Sequence, residues 1–518
     1  MLKNLASVAG MTLVSRVTGF ARDVALGAIL GAGALADAFY IAFRLPNHFR
    51  AIFGEGAFNS AFVPSYSRVL ETQGHDNARR FGGQILSLLL ISQLVLLAFA
   101  WLFTRELILL LAPGLSEKPE QMAAAITMTR ITFPYLAFIT LVTLVSGVLN
   151  AHGRFAAAAF APVLLNLVIL ACLALAFLFP DAGIAASVGI AVAGALELAL
   201  VIGVARRAGV MTKPAWPKWS ADLKQFFKAL GPAVIGSAGV QIAMFADTII
   251  ASFLPDGGMS SIYYADRIYQ LPIGVIAIAA GTVLLPEMSR LIAGGDEAGA
   301  RWAQNRTMAL TLMLTAPFFI AFLLIPDLIM RGIFMRGAFT PEAAQAAAHV
   351  LAAYGVGIFA MMLIRSAVAS FQARGDTRTP MLISLAAVAF NIGLKLALYA
   401  PLGAPGLALA TAVGAWVNFL LLIWFARRAG LMQFESLLGK VTGASAMACM
   451  VLAGVAIFGR APAAELASGF GIWTEEMQLL LLGLVGALAY GLALVAGLRI
   501  LGVGLGQLRS AAKPLPPV

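Results

Sequence analysis

Apolar windows of about 20 residues, the length a helix needs to cross a bilayer, recur along this chain from end to end. With 61% hydrophobic and only 11% charged residues among 518, the composition excludes the soluble classes. The chain reads as an all-α polytopic membrane protein. A secretory signal would give one short apolar run followed by polar sequence, so neither a cleavable signal nor a large soluble domain is expected. Cys172 and Cys449 sit inside apolar runs and are expected to be small buried hydrophobes. The four histidines form no zinc-ligand spacing, and no cofactor is expected. The formal charge is +11, but the basic residues stand in ones and twos at the ends of apolar segments. That pattern is a topology signal beside an anionic leaflet and not a nucleic-acid surface.

Apolar runs between polar or Pro/Gly-rich breaks predict 14 transmembrane helices, at about 5–32, 35–63, 81–104, 124–149, 158–179, 184–205, 226–253, 262–286, 307–330, 347–371, 380–400, 403–426, 441–459 and 478–499. Alternate loops then lie on one side. One set of loops carries 22 Lys and Arg, concentrated at Arg68–Arg80, Arg206–Lys228 and Arg290–Arg306; the other carries 5, namely Arg105, Lys118, Arg331, Arg336 and Arg460. This bias predicts that both termini are cytoplasmic. A repeat supports the parity. "LPNHFRAIFGEGAFNSAFVPSYSRV" (Leu45–Val69) and "LPIGVIAIAAGTVLLPEMSRL" (Leu271–Leu291) share an LP start and a PxxSR end, each closing an even-numbered span. The expected organisation is two six-helix lobes related by a parallel pseudo-two-fold repeat, at 1–220 and 221–432, with two further helices and a tail at 433–518.

Charges within the spans need a reason, because each costs several kcal/mol at mid-bilayer unless it faces water, a partner or a ligand. Arg16 falls about 16 Å along the first helix and Arg22 about 9 Å further on. Arg16 and Asp23 are seven apart and share a helix face. Span 2 adds Asp37, Arg44 and Arg50, with Pro46, Gly54 and Gly56 interrupting regular helix beside Glu55. Span 8 adds Asp266 and Arg267 in "YYADRIYQLP"; Arg267 matches Ile41 in the repeat, which makes the positive site asymmetric. Structural ion pairs with Asp23, Asp37, Glu55 and Asp266 are one explanation. A hydrated cavity with surplus positive charge is the other, and five arginines against four carboxylates leave one for a bound anion. Arginine's planar donor fork suits a diphosphate. Across the chain, Asp247 and Lys395 make a candidate ion pair, structural or switching, and Glu197 is an isolated buried candidate. A contact between Arg22 and Asp37 would close an outer gate.

"SRVTGFARD", "ADAFYIAFRLPNHFRAIFGEGAFNSAFVP", "YYADRIYQLPIGVIAIAAGTVLLP" and "ARGDTRTP" resemble segments of the bacterial lipid II flippase family (MurJ/MviN type), within the multidrug/oligosaccharidyl-lipid/polysaccharide exporter superfamily. The resemblance covers essentially the whole chain. It implies transport of lipid II, the undecaprenyl-diphosphate-linked peptidoglycan precursor, from the cytoplasmic to the periplasmic leaflet of the bacterial inner membrane. Membrane lipids and cell-wall synthesis proteins are the other partners it suggests. Family cavity arginines fall on Arg16, Arg22, Arg50 and Arg267, and a functionally important acid on Asp37. The last two helices would carry a lipid-tail groove. A sodium site found in some members would fall on Asp247, Asn391 and Thr411, but Lys395 stands where those members have an acid, which argues against sodium here. A drug exporter would use acids for cationic substrates, whereas another anionic lipid-linked oligosaccharide stays compatible. A membrane glycosyltransferase or phosphatase is disfavoured, since the chain has no DxD pair and its loops hold no catalytic cluster.

Overall fold

The computed structural model describes residues 2–50 and 57–509, and the regular elements among them are helical. Packing divides the chain into two units, one comprising Met1–Ser260 with Arg336–Phe339, the other Ser261–Met335 with Thr340–Val518. In chain order the helices of the first are α1 (Leu2–Leu30), α2 (Ala34–Arg50), α3 (Ala57–Leu102), α4 (Thr104–Leu111), α5 (Pro119–Thr132), α6 (Pro134–Ala151), α7 (Ala156–Ala174), α8 (Ala182–Arg207) and α9 (Ala221–Ala251). α10 (Gly258–Pro272) crosses the boundary. It is followed by α11 (Ile278–Ala293), α12 (Glu297–Leu324), α13 (Pro326–Phe334), α14 (Pro341–Gly355), α15 (Ile358–Gln372), α16 (Arg378–Arg428), α17 (Ser436–Phe458), α18 (Arg460–Ala467), α19 (Thr474–Ile500) and α20 (Leu505–Arg509).

Among the described residues, ten helices are long and apolar enough to cross a membrane. Some of them exceed one crossing. α16 has 51 residues, about 77 Å if straight, against a hydrocarbon core of about 30 Å. Its backbone leaves helical geometry at Gly403, the first residue of the expected span 12, so two helices meet there. The 46 residues of α3 are broken in the same way at Gly74, inside a basic loop. After Pro272, whose ring removes a backbone donor, the chain makes a π-helical turn at Ile273–Ala277 before α11 resumes. α2 is shorter, with 17 residues and Pro46 inside it.

Polar residues start the helices where the apolar runs begin. Asp181 caps α8 by accepting from the Ile184 N–H at 2.8 Å, and Ser220 caps α9 by accepting from Leu223 at 3.2 Å. Within the first unit, the core at one end is aromatic: Phe58, Phe62, Tyr66 and Phe81 of α3 pack with Phe226 of α9. Loops at that end are tied by charge. Arg68 and Gln73 donate to Asp222 at 2.9 and 3.0 Å, and Arg79 donates to the Gly209 carbonyl. In the second unit, α12 packs against α17, and α17 against α19, around Met308, Val441, Ala444 and Tyr490. The Tyr490 hydroxyl donates to the Met313 carbonyl at 2.7 Å, fixing α19 to α12. Ion pairs close opposite ends of this unit, Arg374 with Glu297 at one, and Arg331 with Glu475 and Arg460 with Asp327 at the other. Cys172 and Cys449 are free and half-buried.

Candidate anion-binding and gating site

α1 carries its charges on more than one face. Arg16 is exposed, whereas Arg22 and Asp23 are buried at 8% and 4% exposure. The shared face expected for Arg16 and Asp23 therefore does not give them a common environment. Arg22 donates through Nε and Nη2 to the Asp23 Oδ1 atom at 3.0 and 2.7 Å, and through Nη1 to the Asn166 Oδ1 atom at 2.9 Å. Asn166, buried in the apolar α7, returns Nδ2 to the Ser15 carbonyl at 3.0 Å and the Thr18 hydroxyl at 3.1 Å. The asparagine orients the guanidinium and ties α7 to α1. Sequence reasoning missed it, although a lone amide in "APVLLNLVILAC" was the available signal.

Asp37, 4% exposed in the first turn of α2, spends both oxygens on backbone. Oδ2 accepts from the Gly257 N–H and Oδ1 from the Ser260 N–H, each at 2.7 Å. Free N–H groups at a helix start attract a carboxylate, and here they open α10 within the first unit. The expected gate contact was between Arg22 and Asp37; the hydrogen bonds described here join Arg22 to Asp23 and Asn166, and Asp37 to the Gly257 and Ser260 N–H groups. Asp37 works with two further anchors on the α9–α10 connection. Lys118 Nζ donates to the Leu254 carbonyl at 2.9 Å and pairs with Asp256 at 2.7 Å, while the Gly114 N–H donates to the Ser252 hydroxyl at 3.0 Å. The α1–α2 turn joins the same assembly through the Ala338 N–H, which donates to the Ala28 carbonyl at 2.8 Å. Gly31 and Gly257, both with positive φ, permit this close approach. A Cβ at Gly31 would meet the Ala338 carbonyl oxygen at 2.5 Å, and one at Gly257 would meet that of Ala32 at 2.7 Å.

Further along α2, Arg44 is half-buried, with Nη1 at 3.5 Å from the Thr248 hydroxyl of α9. Arg50 is half-buried, donates Nε to the Asn47 Oδ1 atom at 2.9 Å, and acts electrostatically on the buried carboxylate of Glu197 in α8. Glu197 is thus not isolated, as the sequence suggested. Glu55, with Gly54 and Gly56, lies outside the described residues.

Arg267 and Asp266 lie in the second unit. The Arg267 guanidinium sits 4.4 Å from the centroid of the Tyr263 ring, and Asp266 accepts from the Gln270 Nε2 atom at 3.0 Å. Asp247, half-buried on α9, belongs to the first unit, and Lys395, 3% exposed on α16, to the second. For sodium, the donor set on α16 fits poorly. Lys395 places an ammonium one turn from Asn391, while the Thr411 hydroxyl donates to the Leu407 carbonyl of its own helix at 3.0 Å and keeps its oxygen lone pairs available. Among the described residues no group of three His, Cys, Asp or Glu is disposed to hold a metal ion.

The chain as a whole has matches among known proteins. The family model described as lipid II flippase MurJ matches residues 26–473. The chain is similar to a probable lipid II flippase MurJ of Rhizobium meliloti (strain 1021), 42% identical over 428 residues and covering 82% of this chain and 80% of that protein. A counterpart in Rhizobium tropici is 35% identical over 524 residues, covering 100% and 97%. A solved structure of lipid II flippase MurJ in an inward closed conformation superposes with a TM-score of 0.79 at 25% identity, covering 95% of this chain and 99% of that one. The chain belongs to the MurJ family of lipid II flippases.

Proposed function

We propose that the protein carries lipid II, the polyprenyl-diphosphate-linked precursor of peptidoglycan, from the cytoplasmic to the periplasmic leaflet of the bacterial inner membrane. The observation that carries this reading is membership of the MurJ family over residues 26–473, the region that holds Arg44, Arg50 and Arg267. In this reading the chain is a transporter and performs no covalent chemistry.

Alternating access of two six-helix lobes, 1–220 and 221–432, is the motion proposed, with helices 13 and 14 in 433–518 forming a lipid-tail groove. Exposed apolar side chains on α17 and α19, among them Met450, Phe458, Leu488 and Leu492, suit contact with acyl chains. Fourteen spans with both termini cytoplasmic fit how the loops associate. In the first unit, basic loops tie to basic loops, as Arg79 does to Gly209, while sparsely basic ones meet at Lys118, Asp256 and Ala338.

Arg16, Arg22, Arg50 and Arg267 are proposed to contact the diphosphate. Arg22 is preorganised by Asn166 and Asp23; Arg50 is biased by Glu197. Asp37 is proposed to act in the gate through backbone, holding the periplasmic connections of the first unit together when the cavity faces inward. Asp23, Arg44, Glu55, Asp266, Asp247 and Lys395 are assigned to charge pairing. An exporter of another anionic lipid-linked oligosaccharide would use the same chemistry. Leaflet-resolved transport in proteoliposomes decides between them: lipid II should move faster than a polyprenyl diphosphate lacking sugar and faster than an unrelated glycolipid. Equal rates for all three would refute the assignment.

A further inference from the structure

A cavity in the second unit lies apart from every residue assigned above. It is an open pocket of about 600 Å³ lined by Val283, Pro286, Glu287 and Arg290 of α11, Arg306 and Leu310 of α12, and Leu508 of α20. The four α11 residues recur at i, i+3, i+4 and i+7, so a single helix face forms one wall. The floor is charged. Arg306, 8% exposed, donates Nη2 to both oxygens of Glu287 at 3.1 and 3.0 Å. Arg290, in the last turn of α11, adds a second guanidinium, and the lining then holds two cations against one anion. The rim is apolar. Val283 is 62% exposed on Gly258–Ala293, a segment long and apolar enough to cross a membrane.

A pocket of this size with a cationic floor and an apolar rim fits a negatively charged amphiphile better than a small ion. The geometry points to a binding site for the phosphodiester headgroup of an acidic phospholipid from the cytoplasmic leaflet, gripped by Arg290 and Arg306, with its acyl chains leaving past Val283 and Leu310. Glu287 is a positioning residue that holds Arg306 over the floor. It also sets the net lining charge at one positive, which matches a singly charged phosphodiester and leaves a diphosphate overcharged. The choice of leaflet rests on the proposed topology, in which Arg290 and Arg306 belong to the heavily basic loops.

The test uses the full chain in detergent, with phosphatidylglycerol or phosphatidylcholine added at equal mole fraction and retained lipid counted by native mass spectrometry. Phosphatidylglycerol should be preferred, and Arg290→Gln should weaken its retention about tenfold by loss of a charge-assisted contact. Leu310→Trp, which fills the cavity without touching a charge, should do the same. Equal retention of the two lipids, or unchanged retention in both variants at normal folded yield, overturns the site. Displacement of phosphatidylglycerol by millimolar inorganic phosphate would mark a simple anion site, and displacement by a polyprenyl diphosphate a substrate site; either also overturns it. Because binding in detergent needs neither transport nor a sided membrane, failure here leaves the flippase reading standing, and failure of transport leaves this site standing.

Discussion

Replacing Asp37 separates a gate built on backbone from one built on side-chain ion pairs. Its carboxylate accepts two hydrogen bonds of 2.7 Å from the buried N–H groups of Gly257 and Ser260. A hydrogen bond to a charged group is worth about 1.5–3 kcal/mol, so Asp37→Ala forfeits roughly 3–6 kcal/mol of local interaction and strands two donors. Asp37→Asn keeps one carbonyl acceptor and turns an amide N–H toward the other donor, which should cost about 2 kcal/mol. Hydrogen exchange across residues 255–262 should then accelerate about thirtyfold in the asparagine variant, with peptides from α17 unchanged as an internal reference. Cysteine accessibility should shift toward the outward-open pattern, and uptake from the cytoplasmic leaflet should slow. Unchanged exchange at 255–262 with normal folded yield would refute the anchor. Equal acceleration in α17 would show that Asp37 supports the whole fold and not the connection.

Arg22→Ala strips the buried Asp23 carboxylate of its guanidinium and should cost about 3–5 kcal/mol, seen as lower folded yield and Tm; a double Arg22→Leu, Asp23→Leu variant should recover much of that loss. Cysteines placed at 206–224 should be labelled from the cytoplasmic side and those at 461–476 from outside, and periplasmic labelling of the first set would sink the topology. Asp376, half-buried in the loop between α15 and α16, accepts from the Thr379 N–H at 3.0 Å, and hydrogen bonds to Thr379 backbone and side chain hold its carboxyl below the ordinary value. A group whose folded pKa is depressed contributes stability above its unfolded value, about 4, and loses it as pH falls through the folded one. Thr379 amide protection should therefore fade below about pH 4, and Asp376→Asn should remove that pH dependence.

Helix content, the membrane class and most helix positions were legible because hydrocarbon length and apolar run length are the same quantity seen from two sides. The break at Gly74 fell between expected spans, and that at Gly403 at the start of one, for the same reason. Charged partners were less legible. Arg22 was correctly singled out as unusual, yet its partner Asn166 lies 144 residues away and carries no charge to advertise it. Asp37 misled because a carboxylate near arginines suggests an ion pair, while its real partners are N–H groups, which every residue but proline has. Glu197 looked isolated along the chain only because Arg50 approaches it from another helix. The turn "LPDGG" at Leu254–Gly258 was passed over, although its paired glycines were a local clue to the junction there.

That junction bears on leakage. A carrier for a bulky amphiphile needs a wide cavity, and a wide cavity threatens the proton and ion gradients across the membrane. Side-chain plugs leave gaps whenever a rotamer changes, but main chain pressed on main chain has no rotamers. Where Gly31 meets Ala338 and Gly257 meets Ala32, the space would not admit a methyl group, let alone a water molecule with the partners it needs. Tightness in this region is therefore a property of loop position alone, and it can be lost only by moving whole segments apart. Glycine-to-alanine changes at Gly31 or Gly257 would force these segments apart.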